Sequence, residues 1–289
     1  EKNERRIPQH IKKKKKRGIS HDGKYKNKKV VVNPLISCQN CDYCQKEREH
    51  LCPKRTMIGM STPIKRDGGL AELVSVPEKN IYEIPYNLSI KEAALAEPTA
   101  VALHAVLLAE QNLKKPLSES KILIQGAGAI GLLCGLVLNK ERNSTNITMS
   151  DPNKKRLDEC AKYLKANFVS PSDKSIKENN YDLILESVGL EVTRHQAIKS
   201  IAPGGTILHI GLTQPSGTFD FKKLTIQEVT LVGTYCYTNK DFKNTLEILK
   251  EKKLGDLGWI EYRDLKKGSE AFNEIHNGTC IAPKIILIP

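Results

Sequence analysis

The sequence predicts an α/β fold: a doubly wound parallel sheet covered by helices on both faces, joined to a smaller lobe knotted by cysteines. Three observations predict it. From residue 121 onward, short apolar strands alternate with amphipathic helical stretches, the pattern of strand–helix–strand crossovers. A glycine-rich turn lies directly between the first of these strands and its helix. Four of the eight cysteines crowd between positions 38 and 52.

The elements follow in chain order. The 289 residues, 39% hydrophobic and 27% charged, are enough for two modest domains. Residues 1–29 hold thirteen Lys or Arg against three acids, a net of +10, so the whole-chain charge of +13 leaves only +3 for the rest. Lys12 to Lys16 with Arg17 form one like-charge block that reads as solvated, and no nucleic-acid partner is expected. Residues 30–33 read as a short strand entering the cysteine cluster. Gly68 and Gly69 mark a turn, and 70–76 have strand character. Residues 90–110, rich in Ala and Leu, read as helix interrupted near Pro98. Strands are predicted at 122–125, 147–150, 182–186, 206–210 and 230–233, with helices from Ala129, over 154–165 and over 242–250. A last strand starts at Lys284. The longest apolar stretches are too short to span a bilayer or are broken by Glu97, Pro98 and His104, so no membrane partner is expected. No secretory signal is visible and a cytoplasmic location is expected. A start at Glu1 in place of Met reads as a fragment.

The glycine turn is Gly126-Ala-Gly128-Ala-Ile130-Gly131. In this spacing the first glycine permits a tight turn. The second lets the backbone approach a pyrophosphate, and the third lets helix and strand pack closely. The helix N-terminus then offers free N–H groups and positive dipole to phosphate. Asp151 follows twenty residues after Gly131, at the end of the next strand. A carboxylate there accepts hydrogen bonds from both ribose hydroxyls and repels a 2′-phosphate, so NAD is favoured over NADP. Arg156 is expected near the adenosine, although an arginine also suits a phosphate.

Cys38, Cys41, Cys44 and Cys52 form a four-thiolate array. Zinc in structural sites takes four such ligands, and a site filled by thiolates leaves no position for water, so the metal is structural. An iron–sulfur cluster is the chemical alternative. His50 is expected as an exposed loop histidine outside the ligand set.

The cysteine lobe followed by a dinucleotide turn resembles the zinc-dependent medium-chain dehydrogenases, and within them the polyol and sugar-acid branch typified by sorbitol and idonate dehydrogenases. The residues carrying the resemblance are Val31-Val-Asn-Pro-Leu-Ile-Ser-Cys38-Gln-Asn-Cys41-Asp-Tyr-Cys44 with Cys52, Asp67-Gly-Gly-Leu-Ala-Glu72, Ala96-Glu97-Pro98, the glycine turn, Asp151 with Arg156, and Pro203-Gly-Gly. They span about Val30 to Pro289, with a weaker match over residues 4–8.

The resemblance implies a Rossmann coenzyme domain at 98–240. It implies a discontinuous, mostly β, GroES-like catalytic domain from 1–97 and 241–289, with the zinc lobe at 38–52. It implies a homodimer or homotetramer acting on a small alcohol, polyol or sugar acid. A catalytic zinc would lower the pKa of the bound alcohol before hydride leaves for NAD, with Glu97 at that metal. The backbone at Ile130 would face the pyrophosphate. Ile210, Gly211 and Leu212 with Thr234, Tyr235 and Cys236 would line the nicotinamide end, and Tyr237 would contact substrate. Cys236 stands where the sorbitol enzymes commonly place an arginine, which puts a polyol-specific contact in question.

The pattern breaks at one end. The family's first metal-ligating Cys segment would precede Glu1, and its Gly-His-Glu triplet would fall at Lys13, Lys14 and Lys15. A protonated ammonium cannot ligate zinc. His10 and His21 are the nearby imidazoles. A catalytically dead remnant that still binds NAD and zinc is therefore the alternative to an active dehydrogenase. A zinc-independent reductase of the same superfamily is a third reading, opposed by Glu97 and the cysteine array.

Overall fold

The computed structural model describes residues 4–8, 24–61 and 64–289. The readings attached to His10, Lys13, Lys14, Lys15 and His21 lie outside the described residues. Strand β1 (Glu4–Pro8) pairs antiparallel with β5 (Leu73–Pro77), and β2 (Val30–Val32) with β6 (Ile81–Glu83). Between them β3 (Leu35–Ile36) pairs with β4 (Thr56–Met57), and the short helix α1 (Asp42–Gln45) carries the middle of the cysteine cluster. The alternation in β5 buries Val74 and Val76 and leaves Leu73 and Ser75 outward, the period-two pattern of a strand with one core face.

The Ala- and Leu-rich stretch forms two helices, α2 (Ile90–Ala93) and α3 (Ala96–Asn112). The interruption falls before Pro98 and not at it. Ser89 and Glu92 close a capping box on α2, with the serine hydroxyl accepting from the Glu92 N–H at 3.1 Å. Pro98 sits in the first turn of α3, where a missing N–H costs nothing. Helix α3 is buried nearly all round, with Ala100, Ala102, Ala105 and Ala109 fully enclosed.

The large sheet contains the five predicted strands and a sixth, Asn167–Val169, that the sequence does not predict; the strand expected at 206–210 starts five residues earlier, at Ile201. Strands β7 (Ile122–Gln125), β8 (Ile147–Ser150), β9 (Asn167–Val169), β10 (Tyr181–Glu186), β11 (Ile201–His209) and β12 (Thr230–Gly233) are all parallel. Their order across the sheet is β12-β11-β10-β7-β8-β9. The chain leaves β7 in one direction and returns to its other side at β10. Ligands of such sheets bind outside the carboxyl ends at that switch point. Helix α4 (Ala129–Glu141) leaves β7 through the glycine turn. Helix α5 (Lys154–Cys160) ends five residues short of the predicted stretch. Leu164 turns inward there, and a Cβ on Gly135 of α4 would lie 2.5 Å from its Cδ2.

Helices α6 (Glu191–Ser200) and α7 (Phe221–Ile226) complete the sheet's cover. Helix α8 (Asn239–Lys250) packs against α3. The chain closes with β13 (Ile260–Asp264), α9 (Gly268–His276) and β14 (Lys284–Ile288), the two strands pairing in parallel. One core runs from Ile84 to Ile260 through α3, α4 and α8. Among the described residues, no helix is long and apolar enough to cross a membrane.

Candidate coenzyme and metal sites

The glycine turn has the geometry that its spacing requires. Gly126 holds φ at +97°, and a Cβ there would fall 2.8 Å from Val188 Cγ2 and 2.9 Å from Ser187 Oγ. A Cβ on Gly131 would sit 1.9 Å from the Gly126 carbonyl oxygen. Gly128 meets nothing within 4 Å. Two glycines are thus required by packing, while the middle one opens onto free space at the N-terminus of α4, where a phosphate would be met by backbone N–H groups.

Asp151 ends β8 beside this turn. Its carboxylate accepts the Ala127 N–H at 2.9 Å and the Asn153 N–H at 2.8 Å, so it is held by the turn itself. Arg156 is turned elsewhere: Nη2 donates to the Cys280 carbonyl at 2.6 Å, and Asn153 Nδ2 donates to the Gly278 carbonyl at 3.0 Å. Both tie the loop before β14 to the rim beside Asp151.

On the other side of the switch point, Glu186 ends β10 with no exposed surface. Its Oε1 accepts from the N–H groups of Val188 and Gly189 and from the Thr193 hydroxyl, and Oε2 lies 3.2 Å from His209 Nε2. The N–H groups of Ile210 and Gly211 both donate to the Glu186 carbonyl. Gly211 is buried against Gly189, and Leu212 projects outward with 79% of its surface exposed. Thr234 gives the last sheet hydrogen bond, from its N–H to the His209 carbonyl.

Glu97 lies in the first turn of α3. Burial raises its pKa, against the opposing effects of Lys284 and a hydrogen bond with Tyr237. Cys236 nearby is pushed up to about 11, chiefly by burial. Tyr237 is fully buried, its hydroxyl donating to Asn33 Oδ1 at 3.3 Å. Glu97, Tyr235, Cys236 and Tyr237, distant in sequence, are thereby brought together. Among the described residues, no set of three His, Cys, Asp or Glu ligands includes Glu97, so these residues alone do not hold a second zinc.

The cysteine array is assembled. The sulfurs of Cys38, Cys41, Cys44 and Cys52 all lie within 4.8 Å of one another, with Cys38 and Cys44 at 3.9 Å and Cys41 and Cys44 at 3.5 Å. Tetrahedral zinc with bonds of about 2.3 Å sets sulfurs about 3.8 Å apart, so the donor set fits the ion. The Asn40 N–H lowers Cys38 to about 6, and burial raises Cys44 to about 11. A bound dication would hold all four as thiolates. His50 lies outside the ligand set but is not an exposed loop residue. It is buried, its ring edge-on to His104 with centroids 4.7 Å apart, and burial lowers its pKa to about 4. His104 Nδ1 in turn lies 2.8 Å from the buried Asp241 carboxylate. Sequence reasoning missed this chain because its members come from three distant segments.

Comparison with known proteins follows the same lines. Residues 19–86 match the alcohol dehydrogenase GroES-like domain, and residues 129–251 match the zinc-binding dehydrogenase domain. The probable D-xylulose reductase A of Neosartorya fischeri is 30% identical over 266 residues, which cover 86% of this chain and 71% of that protein. The galactitol-1-phosphate dehydrogenase of Escherichia coli superposes with a TM-score of 0.74 at 26% identity, covering 91% of this chain and 78% of that one. The L-idonate 5-dehydrogenase of the same species gives a TM-score of 0.78 at 23% identity, covering 91% and 76%, a likeness of fold alone.

Proposed function

Because the chain belongs to the zinc-binding, medium-chain alcohol and polyol dehydrogenase family, we propose that it oxidises a secondary alcohol of a polyol or sugar acid by hydride transfer to NAD. The observation that carries this reading is the Gly126–Gly128–Gly131 turn, closed by packing at both ends and open in the middle, with the Asp151 carboxylate fixed beside it. The turn's N–H groups take the pyrophosphate and Asp151 takes the ribose hydroxyls. A 2′-phosphate would meet that carboxylate, which favours NAD.

We assign the nicotinamide end to residues 210–212 and 234–236, and the coenzyme domain to 98–240 within a catalytic unit of 1–97 and 241–289. Glu97 is the acid at the reaction centre. Burial favours its protonated form, while Lys284 and Tyr237 favour the carboxylate. Tyr237 reaches substrate only through Glu97, since none of its surface is open. A catalytic zinc, when bound, would acidify the alcohol. The four cysteines hold the structural ion.

The relatives' names, reductase and dehydrogenase, favour an enzyme over a dead remnant. The four cysteines outside the metal array, Cys134, Cys160, Cys236 and Cys280, are unpaired thiols, which supports a reducing compartment and hence a cytoplasmic location. A homodimer or homotetramer is the assembly we assign. Steady-state reduction of NAD over a panel of polyols, sugar acids and simple secondary alcohols tests the function. NADH binding without turnover on any of them would establish the remnant in its place.

A further inference from the structure

Three contacts leave the cysteine lobe: one for the start of α8, one for the stretch between β12 and α8, and one for α3. Glu49 Oε1 accepts from the Asn239 side-chain amide at 2.8 Å. Arg55 lies over the Tyr235 ring, its guanidinium carbon 4.7 Å from the centroid, and its Nη1 donates to the carbonyl of Cys52 at 3.2 Å. His50 packs on His104, which reaches Asp241. From β2's end, the Asn33 amide donates to Asn239 Oδ1 at 3.1 Å and accepts from the Tyr237 hydroxyl.

Between the two tyrosines sits Cys236 with φ at +49°. A side chain pays for this left-handed conformation, of order 1 kcal/mol, and it persists only where the surroundings over-determine it. The sheet does not do so, because its last hydrogen bond to this stretch is made by Thr234. Ahead of Cys236 the fixed point is Arg55 of the lobe on Tyr235; after it, Glu49 and Asn33 hold Asn239 and Tyr237, alongside the Thr238–Asp241 cap and the packing of Tyr237 on Phe242.

We propose that the cysteine lobe shapes the nicotinamide end of the coenzyme cleft, with Glu49 and Arg55 as positioning residues that fix residues 235–239 and keep Cys236 left-handed. The inference rests on the assignment of residues 234–236 to that end. Arg55 is bonded to the carbonyl of a cysteine in the metal array, so order in the array passes to Tyr235 through one side chain. The glycine turn and Asp151 receive none of these contacts. Loosening the lobe's grip therefore acts on the nicotinamide half of the coenzyme and spares the adenosine half.

The test is the Glu49→Ala/Arg55→Ala variant of the full, zinc-loaded chain, titrated with NADH and separately with ADP-ribose, which lacks the nicotinamide. All four cysteines remain, and zinc content and melting are followed alongside. The NADH dissociation constant is expected to rise roughly 5- to 10-fold, with ADP-ribose affinity unchanged. Asn239→Ala, on the other side of the Glu49 contact, is expected to give the same selective loss. Adding Cys236→Gly to the double variant is expected to restore most of the NADH affinity, because glycine adopts the left-handed conformation unaided. Failure of the unaltered chain to bind NADH would overturn the coenzyme assignment and the inference with it. With NADH bound by the unaltered chain, the inference alone is overturned by unchanged affinity in the variants, by equal loss of both ligands, or by a loss that Cys236→Gly leaves in place.

Discussion

At the scale of single residues, Asp151 has the sharpest consequence. Two backbone N–H groups hold its carboxylate at the rim of the glycine turn, so it cannot swing away from an incoming 2′-phosphate. NAD is expected to bind more tightly than NADP, and Asp151→Gly is expected to narrow the gap by about tenfold, the effect of roughly 1.4 kcal/mol. Parallel titrations with the two coenzymes check this, and equal or tighter NADP binding by the unaltered chain would refute it. Arg156 teaches the complementary lesson. Its place in the sequence, five residues beyond Asp151, puts it near the adenosine, yet its guanidinium is engaged by the Cys280 carbonyl. Sequence spacing placed the Cα; a loop 124 residues away chose the direction of the side chain.

At the scale of elements, the cysteine lobe and the start of α8 are the parts most open to test. Cys41→Ser removes one of four thiolates from an array whose metal affinity is part of its folding free energy. Zinc content and melting temperature are expected to fall together; a variant in which both stay unchanged would mean that the array is not a metal site. Asp241 closes a capping box with Thr238 and also meets His104. Asp241→Ala is expected to cost about 2–4 kcal/mol in urea unfolding, combining a lost cap with a buried imidazole left without its partner. Burial raises the Asp241 pKa, but the hydrogen bonds from His104 and Thr238 outweigh it and hold the group below its ordinary value of 3.8. A depressed carboxylate contributes stability above its unfolded pKa and loses it as pH falls through the folded one. The melting difference between Asp241→Ala and the unaltered chain is therefore expected to shrink below about pH 4, as thermal scans across pH would reveal.

At the scale of the whole molecule, the question is how many metal ions the chain carries. The described residues contain one assembled ligand set, the four cysteines, while Glu97 stands without a trio. Metal analysis of the purified chain decides between the proposed dehydrogenase, which needs a second zinc at Glu97, and the remnant, which holds one at the four cysteines. Where one zinc is found, substituting Lys13→Gly, Lys14→His and Lys15→Glu is expected to raise zinc content and alcohol oxidation together. Two zinc ions in the unaltered chain would show that other residues complete the site around Glu97.

Much of this protein was determined by the sequence alone. The glycine spacing, the alternation of apolar strands with helices, and the four clustered cysteines are local patterns, each dictated by backbone sterics, burial periodicity or ligand reach within one segment. They suffice for the parallel sheet and the metal-binding array; the order of the strands about the switch point came from the structure. Tertiary structure decided the rest, because the interactions concerned join segments that no local pattern connects. His50 reads as an exposed loop histidine beside the cysteines, yet α3 and α8 bury it against His104 and Asp241. Glu186 reads as the end of a strand and is fully enclosed by N–H donors, a hydroxyl and His209. Tyr237 reads as a substrate contact, but the packing of Asn33 and Glu97 around it leaves no open surface. The left-handed turn at Cys236 carries no mark in the sequence, since nothing about a cysteine asks for it. It exists because contacts from residues almost two hundred positions away fix the chain on both sides, and only the folded molecule brings them there.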